Sequence, residues 1–356
     1  MYTYKIFNSI TKECEDIFNT KEVEFNSTFF QHIEYIKEIT KHNKRNLKIV
    51  IIYYKKSVIA ILPFEIKKYF FIKVLQWIGT DYSDYCNPIL SKSLQSNFNK
   101  KHFLDTWNFI LKEINYDLDL IFLNNQLSLI NEQPNPFVEY FETSRFSTVY
   151  NIDLDSNFND YKEKIRTKNK KHAYEIHRTT IKYEKLKETS NNLKIKVQNS
   201  DHDFIDFDKI AEEKKDQLYK KNTKNKLDNN FKMVFKNLIQ LKKIKFYLIS
   251  LIFEDKALSR CFGFVYDNTF YYYIPTVLPN SFANYKPGKI LILQLIQWCI
   301  NNNISKFDFG LGNEKYKKYF SNKEISLHRY IKFYTLKGSF AYFFILIILK
   351  VKRLLP

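Results

Sequence analysis

The alternation of apolar and polar residues along the chain predicts two successive sets of helices and strands. The first set opens with apolar residues at helical spacing and continues with runs rich in Ile, Val, Phe and Tyr, which are typical of strands. Its elements are a helix over 28–41, strands over 48–54, 58–65 and 70–79, a helix over 98–114 and a buried strand over 119–123. We therefore expect a first domain of mixed α and β structure over 1–145.

The same order of elements returns in the second half of the chain. A strand over 147–154 precedes a strongly basic helix over 161–178, and Asp267-Asn268 favours a tight hairpin turn. The remaining elements are helices over 204–219 and 228–241, strands over 245–253, 258–266 and 269–275, a helix from Pro287, and strands over 306–309 and 326–334. The pattern predicts a second domain over 146–337, related in structure to the first, and a tail over 338–356.

Composition supports two packed domains and leaves the partner open. A chain of 356 residues is long enough for two ordinary domains, and 45% hydrophobic residues argue against disorder. The net charge of +19 favours acidic partners such as nucleic acid, anionic lipid or a phosphate-bearing cofactor. The alternative is an AT-rich genome, because Lys, Asn, Ile, Phe and Tyr are abundant together. Charge alone does not choose between these explanations.

Cysteine and histidine positions argue against a disulfide framework and against a metal. The four cysteines, Cys14, Cys86, Cys261 and Cys299, form no C-x-x-C pair, and the seven histidines show no metal-ligand spacing. The segment that starts at Met1 lacks the pattern of a signal peptide. We expect a cytoplasmic protein without a metal.

One apolar stretch near the end of the chain has two interpretations. Residues 340–349 are apolar and are followed by Lys350, Lys352 and Arg353. A helix needs about 20 apolar residues to cross a bilayer, so this stretch is too short. It either docks peripherally at the inner face of the membrane, with its basic residues toward anionic lipid, or packs as a terminal helix on the second domain.

Glycine is rare in the chain and is concentrated at one place. Only six glycines occur, and three of them, Gly288, Gly310 and Gly312, lie between a predicted loop and the turn after a predicted strand. Gly permits positive φ angles and close approach of the backbone to a ligand. A Gly-bearing loop, a helix, a strand and a second Gly-bearing turn therefore predict a small-molecule site.

The start of the predicted helix at Pro287 suits an anion. Pro is favourable in the first helical turn, and Gly288 leaves the backbone N–H groups of that turn accessible. Such a helix end carries about half a positive charge and binds phosphate or carboxylate, and Lys286 and Lys289 add charge. The alternative is an ordinary helix start with solvated lysines.

These residues also resemble a known family. Tyr285-Lys286-Pro287-Gly288, an apolar helix and Asp308-Phe309-Gly310-Leu311-Gly312-Asn313-Glu314-Lys315-Tyr316-Lys317 look like the C-terminal signature of the CelD-like acetyltransferases of the GNAT superfamily. The segment from Gln76 to Tyr85 resembles the same family. The resemblance implies tandem GNAT-like domains, as in FemABX-type transferases, each with a mixed, mostly antiparallel sheet flanked by helices. It also implies acyl transfer from coenzyme A to an amine, often on a sugar of the cell envelope.

Roles follow for the residues of the signature. Asp308 either accepts a proton from the attacking amine or caps the turn through Gly310. Tyr316 is a candidate acid for the departing thiolate, Glu314 is a further candidate catalytic residue, and Lys317 could hold an anionic substrate group. The expected cofactor-binding residues are Tyr285, Lys286, Pro287, Gly288, Lys289, Gly310 and Gly312.

In the first half, Asp81, Asp84 and Tyr85 form a candidate substrate-binding turn. An acidic pair suits a substrate amine or sugar hydroxyls, and a solvated turn is the alternative. Three functions remain open: an acyl-CoA-dependent N-acyltransferase acting on an amino sugar or envelope precursor, a FemABX-like transferase using aminoacyl-tRNA, and a non-catalytic protein docked at the membrane. We favour the first, and expect a nucleic-acid partner only under the second.

Overall fold

The computed structural model describes most of the chain, in nine segments. They are residues 2–20, 23–41, 45–92, 99–114, 118–154, 157–190, 192–219, 227–279 and 281–343. The chain divides into two compact units, and the first combines residues 1–146 with the described part of 326–356. The second unit is formed by residues 147–325. Residues 326–337, expected at the end of the second domain, thus group with the first unit.

The first unit is a mixed sheet flanked by helices. Its strand order is β1-β3-β4-β5-β7-β16, and its neighbouring strands are antiparallel except for the parallel pair β5–β7. The elements are β1 (Tyr2–Phe7), α1 (Lys12–Phe18), β2 (Phe25–Asn26), α2 (Ile33–Lys41), β3 (Asn46–Tyr54), β4 (Ser57–Tyr69), β5 (Ile72–Trp77), β6 (Ile89–Ser91), α3 (Lys100–Ile114), β7 (Leu120–Leu127), β8 (Leu129–Ile130), β9 (Gln133–Pro134), α4 (Pro136–Glu139) and most of β16 (Lys323–Phe333). Phe64 stacks on Trp77 at the centre of the core of this unit, with ring centroids 4.4 Å apart.

The second unit repeats this arrangement. Its strand order is β10-β15-β14-β13-β12-β11, and β14–β15 is the parallel pair. The elements are β10 (Ser144–Asp153, which starts at the end of the first unit), α5 (Phe158–Lys168), α6 (Lys170–Glu188), β11 (Leu193–Asn199), α7 (Phe207–Tyr219), α8 (Asn229–Leu241), β12 (Lys245–Phe253), β13 (Lys256–Tyr266), β14 (Thr269–Val277), α9 (Pro287–Asn301), β15 (Lys306–Leu311) and α10 (Lys315–Phe320). The predicted fold class, mixed α/β with mostly antiparallel sheets flanked by helices, is confirmed.

Helix α9 is the buried connection between the two parallel strands. It is apolar around most of its circumference, and Ile290, Leu291 and Leu295 are fully buried in the core of the second unit. A helix that is hydrophobic on all sides belongs in a protein interior. Burial fixes α9 against the sheet, and this fixes the position of its first turn.

Two features of the second unit differ from the sequence expectation. The basic segment predicted as one helix over 161–178 is two helices, because the Asn169 side chain caps α6 by accepting hydrogen bonds from the N–H groups of Lys171 (3.0 Å) and His172 (3.3 Å). Asn is among the preferred helix caps. Strand β11 was not predicted, although Leu193, Ile195 and Val197 alternate with polar residues as in a half-buried strand.

Other predictions concern absences and the chain end. No helix among the described residues is long and apolar enough to cross a bilayer, and the same residues contain no cluster of three or more acidic, His or Cys side chains that could hold a metal. The four cysteines are free and buried. His42 and residues 344–356, which include most of the apolar stretch and all of its basic end, lie outside the described residues.

Candidate functional site

Strands β14 and β15 pair only at their beginnings. Their register runs from Thr269 opposite Lys306 to Tyr271 opposite Asp308, whereas β14 continues to Val277. The register between β13 and β14 shifts here, because Phe262 lies opposite Ile274 and Gly263 lies opposite Tyr272. The same part of β14 therefore carries a bulge. In the described part of the chain, the edge of β14 beyond Tyr271 has no strand partner on the β15 side. This separation opens a gap in the sheet.

A cavity of about 400 Å³ lies in the second unit, along this part of β14. Four elements contribute its lining: α7, the outer half of β14, the first turns of α9 with the loop before it, and the turn that follows β15. The lining residues are Lys214, Gln217, Tyr272, Pro275, Val277, Ala283, Lys286, Pro287, Gly288, Lys289, Ile292, Glu314 and Tyr316. The helix start and the turn after Gly312, far apart in sequence, therefore meet in one cavity.

The first turn of α9 presents its backbone to the cavity. Lys286 adopts a left-handed conformation (φ 57°) and Pro287 is the first helical residue. The Lys289 N–H donates to Lys286 O at 2.9 Å, whereas the Gly288 N–H has no acceptor among the described residues. A Cβ atom on Gly288 would lie 2.8 Å from Val277 Cγ2, closer than carbon atoms pack. Glycine is therefore the residue that fits here.

Cations surround this helix start. Lys289 Nζ donates to Glu175 at 2.8 Å and lies 5.1 Å from the centre of the Tyr319 ring, while Lys286 is exposed. Lys182 Nζ donates to Asn284 O at 2.7 Å. Burial, together with the neighbouring cations Arg178, Lys286 and Lys289, lowers the pKa of Lys182. Helix end and side chains together attract an anion.

The turn after β15 is fixed by Asp308 and does not present that carboxylate to the cavity. Asp308 is buried, and its Oδ1 accepts a hydrogen bond from the Gly310 N–H at 2.7 Å. Gly310 (φ 64°) and Gly312 (φ 127°) take conformations that side chains disfavour. Of the two roles considered for Asp308, capping of the turn is the one its contacts display.

Lys317 holds the same turn from inside. Its buried Nζ donates to Leu311 O at 2.8 Å and lies 3.1 Å from Glu314 Oε2. Lys317 does not line the cavity, whereas Glu314 does, with 55% of its side chain exposed. The lysine therefore positions Glu314.

We expect Lys317→Met to destabilise the protein, because it removes the hydrogen bond that the buried Lys317 Nζ donates to Leu311 O. The cost of such a loss is about 1–3 kcal/mol. Lys318→Met is the matched control, since Lys318 is half-exposed and its Nζ lies 3.6 Å from Glu324 Oε1. Thermal unfolding of both variants measures the difference, and equal melting temperatures would show that Lys317 does not hold the turn.

Two tyrosines, Tyr272 and Tyr316, contribute to the cavity lining. Tyr272 is buried and Tyr316 is half-buried, with its ring packed edge-on against Phe309 at 6.4 Å. Burial raises the pKa of both, and the negative charge of Glu314 adds to the effect. Both hydroxyls therefore remain protonated at neutral pH and can donate hydrogen bonds.

Other predicted site residues lie elsewhere. Tyr285 packs against the core of the second unit and does not line the cavity. Asp81, Asp84 and Tyr85 belong to the first unit, where Asp81 pairs with Lys67 and Tyr85 is buried against Phe30. The structure thus brings together Lys286, Pro287, Gly288, Lys289, Glu314 and Tyr316.

Sequence reasoning missed the contributions of α7 and β14. Lys214 of α7 reaches the cavity and donates to Pro275 O at 2.8 Å. Tyr272, Pro275 and Val277 line it from β14. The available signal was Pro275, because Pro within a strand marks an unpaired edge.

Comparison with known proteins identifies this half of the chain. Residues 170–318 match the family model described as an acetyltransferase (GNAT) domain, and every lining residue of the cavity falls inside that segment. The segment is a GNAT acetyltransferase domain. This match supports an acyltransferase of the GNAT type.

Solved structures show that the GNAT-like fold extends beyond this domain. FemX is similar over 93% of this chain and 97% of its own, at 10% identity and a TM-score of 0.58. A tandem GNAT protein from the clavulanic acid biosynthesis pathway is similar over 94% of this chain and 98% of its own, at 6% identity and a TM-score of 0.51. No curated protein sequence is significantly similar. The fold is therefore a tandem GNAT-like one.

Proposed function

We propose that the protein transfers an acyl group from acyl-coenzyme A to an amine, and that the acceptor is an amino sugar or a related precursor of an envelope polysaccharide. The acceptor class follows from the likeness to CelD-like acetyltransferases at 285–288 and 308–317. The observation that carries the proposal is the meeting of the Gly288 helix start with Glu314 and Tyr316 in one cavity.

The cavity has the chemistry that a nucleotide-tailed thioester requires. The Gly288 N–H, Lys286 and Lys289 suit a diphosphate, because each charge-assisted hydrogen bond contributes about 1.5–3 kcal/mol. The edge of β14 beyond Tyr271, which does not pair with β15, can hydrogen-bond the amide groups of an extended acyl-carrying arm. Both sets of contacts are available within the second unit.

The reaction needs a proton acceptor and a proton donor. The neutral amine attacks the thioester carbonyl, the carbon–sulfur bond breaks, and the sulfur leaves as a thiolate. We assign acceptance of the amine proton to Glu314, whose carboxylate lines the cavity, and donation to the leaving sulfur to Tyr316. Asp308 accepts a hydrogen bond from the Gly310 N–H and so shapes the turn that leads to Glu314 and Tyr316.

Thermal unfolding with acyl-CoA tests the proposal. At about a hundredfold excess over the dissociation constant, a ligand that binds only the folded state stabilises it by about 2.7 kcal/mol. We expect acetyl-CoA or a longer acyl-CoA to raise the melting temperature, and adenosine alone to have no effect. The absence of a shift with every acyl-CoA would refute the proposal. Mass spectrometry of acylated amino sugars then identifies the acceptor.

A second function is supported by the likeness to FemX and by a basic groove. The groove between α5 and α6 has a volume of about 1010 Å³ and carries Lys162, Arg166 and Lys170 beside Tyr174. If the donor is aminoacyl-tRNA, binding should weaken steeply with salt, since phosphate contacts release counterions. A gel shift with charged tRNA distinguishes the two donors, because acyl-CoA would not compete for that groove.

A further inference from the structure

One hairpin turn of the first unit has an unusual composition. Four two-residue turns in the described chain link strands with polar residues at positive φ: Lys55-Lys56, Asn131-Glu132, Glu254-Asp255 and Asp267-Asn268. The turn between β4 and β5, closed by Tyr69 opposite Ile72, is instead Phe70-Phe71. Phe70 has a φ of 54°, where Gly, Asn or Asp is preferred. The conformation of the turn therefore does not explain why phenylalanine occupies positions 70 and 71.

Both side chains of this turn project into solvent. Phe70 is 94% exposed and Phe71 is 68% exposed. They contribute little to the core of the unit, and they occupy a position where the backbone conformation is unfavourable for a bulky residue. Two large apolar side chains at a protruding tip therefore require a role outside the folded unit.

The start of the terminal helix lies beside this turn. The helix begins at residue 336, and the structure describes it to 343. Asp119 accepts hydrogen bonds from the Lys73 N–H (2.8 Å), two residues after the turn, and from Thr335 Oγ1 (2.7 Å), just before the helix. Lys337 Nζ lies 3.1 Å from Asp119 and donates to Phe71 O at 3.4 Å. One buried carboxylate thus joins both elements.

The terminal helix is apolar on two faces. Gly338 packs on Asp119, where a side chain would collide with the backbone, and Ala341 packs beside Ile72 and Val74. On the opposite face, Leu336 is 80% exposed and Phe340 is 73% exposed. Leu336, Phe340 and Phe343 are spaced i, i+4, i+7 and share a face. Together with Phe70 and Phe71 they form what we term the aromatic patch.

Exposed cations lie beside the aromatic patch. Neither 66–77 nor 325–356 contains an Asp or a Glu. The nearby carboxylate of Asp119 is buried and is paired with Thr335 and Lys337. Residues 325–343 contain Arg329, Lys332 and Lys337, and Lys68 is exposed beside the turn. The patch therefore combines protruding aromatic groups with positive charge.

We propose that the aromatic patch docks on an anionic lipid bilayer. Aromatic side chains insert at the interface of a bilayer, and nearby lysines are attracted to acidic headgroups. A second copy of the chain is a poor occupant, because it would bring two positive patches together. Binding through the patch is independent of the proposed chemistry and would place the enzyme at the membrane surface.

Flotation of the full-length protein with vesicles tests this inference. We expect binding to vesicles of phosphatidylglycerol and phosphatidylcholine, weak binding to phosphatidylcholine alone, and a decrease as salt is raised. Phe70→Asn with Phe71→Ser should reduce binding by about tenfold or more, since apolar insertion is lost. Asn suits the positive φ of residue 70, so this variant should fold at least as well as the wild type.

The matched control is Phe109→Ser, which removes a phenylalanine that is 59% exposed on α3, outside the patch. It should bind vesicles like the wild type. The hairpin variant, Phe70→Asn with Phe71→Ser, retains residues 344–356. A decrease in its vesicle binding is therefore caused by the change in the aromatic patch. Equal binding by the hairpin variant and the wild type would overturn the proposal. So would failure of the wild type to bind anionic vesicles, or loss of a dimer in the hairpin variant measured by light scattering.

Discussion

Gly288→Glu should strongly weaken the binding of acyl-CoA. The substitution places a carboxylate at the helix start where the diphosphate is proposed to lie. Two like charges about 5 Å apart near a protein surface repel by about 3 kcal/mol, which weakens binding by about a hundredfold or more. The side chain would also meet Val277, whose Cγ2 lies 2.8 Å from the position of a Cβ atom. Isothermal titration with acetyl-CoA measures the effect.

The control for charge is Asn301→Glu, at the opposite end of the same helix. It makes the same change in net charge, about 20 Å from Gly288 along α9, and should leave the affinity near that of the wild type. A second control separates the steric effect of a side chain at 288 from the effect of its charge. Gly288→Ala should weaken acetyl-CoA binding modestly, and adding Val277→Ala should restore the affinity. If Gly288→Glu binds acetyl-CoA normally, the helix start does not hold the diphosphate.

Tyr316→Phe should lower the turnover number by about 10² to 10³, because general acid catalysis contributes about 10² to 10⁴ in rate. The variant keeps the ring that packs against Phe309, so acetyl-CoA affinity should change little. Release of free thiol from acetyl-CoA, with glucosamine as the acceptor amine, measures the rate. A loss of affinity with an unchanged turnover number would contradict the role of Tyr316 as a proton donor.

The pH dependence gives a second test of Tyr316. Burial and the charge of Glu314 raise the pKa of its hydroxyl above the ordinary tyrosine value of about 10. The protonated, donating form therefore persists on the alkaline side, and we expect no decrease in rate from this group below about pH 10. Tyr319→Phe is the matched control for Tyr316→Phe, and its rate should follow that of the wild type at each pH. Tyr319 does not line the cavity, and its ring, which contacts Lys289, is retained.

Sequence patterns predicted the elements that carry the site and missed the contacts between them. Pro287 and the three clustered glycines have local causes, namely a helix start and positive φ angles, and these are visible in the sequence. Capping of the Gly310 turn by Asp308 was one of the two roles considered, whereas the partner of Lys317, Leu311 O, is a backbone group that no sequence pattern reveals. Their predicted contact with substrate remains untested.

Residues distant in sequence were the least predictable. Lys214 lies on α7 and enters the cavity only because that helix packs on β14. Tyr272 depends on the bulge between β13 and β14, which shifts the register by one residue. Likewise, the phenylalanines at 70 and 71 were assigned to a strand, since their β propensity is high, yet they form the turn. The location of each of these residues depends on packing or strand pairing with distant parts of the chain.

Hydrogen–deuterium exchange with and without acetyl-CoA tests the central claim most directly, namely that acyl-CoA lies between the β14 edge and the start of α9. The account predicts slower exchange of backbone amides in 272–277 and 286–292 when acetyl-CoA is present. Unchanged exchange in both segments, with protection confined to the α5–α6 groove or to the first unit, would contradict it.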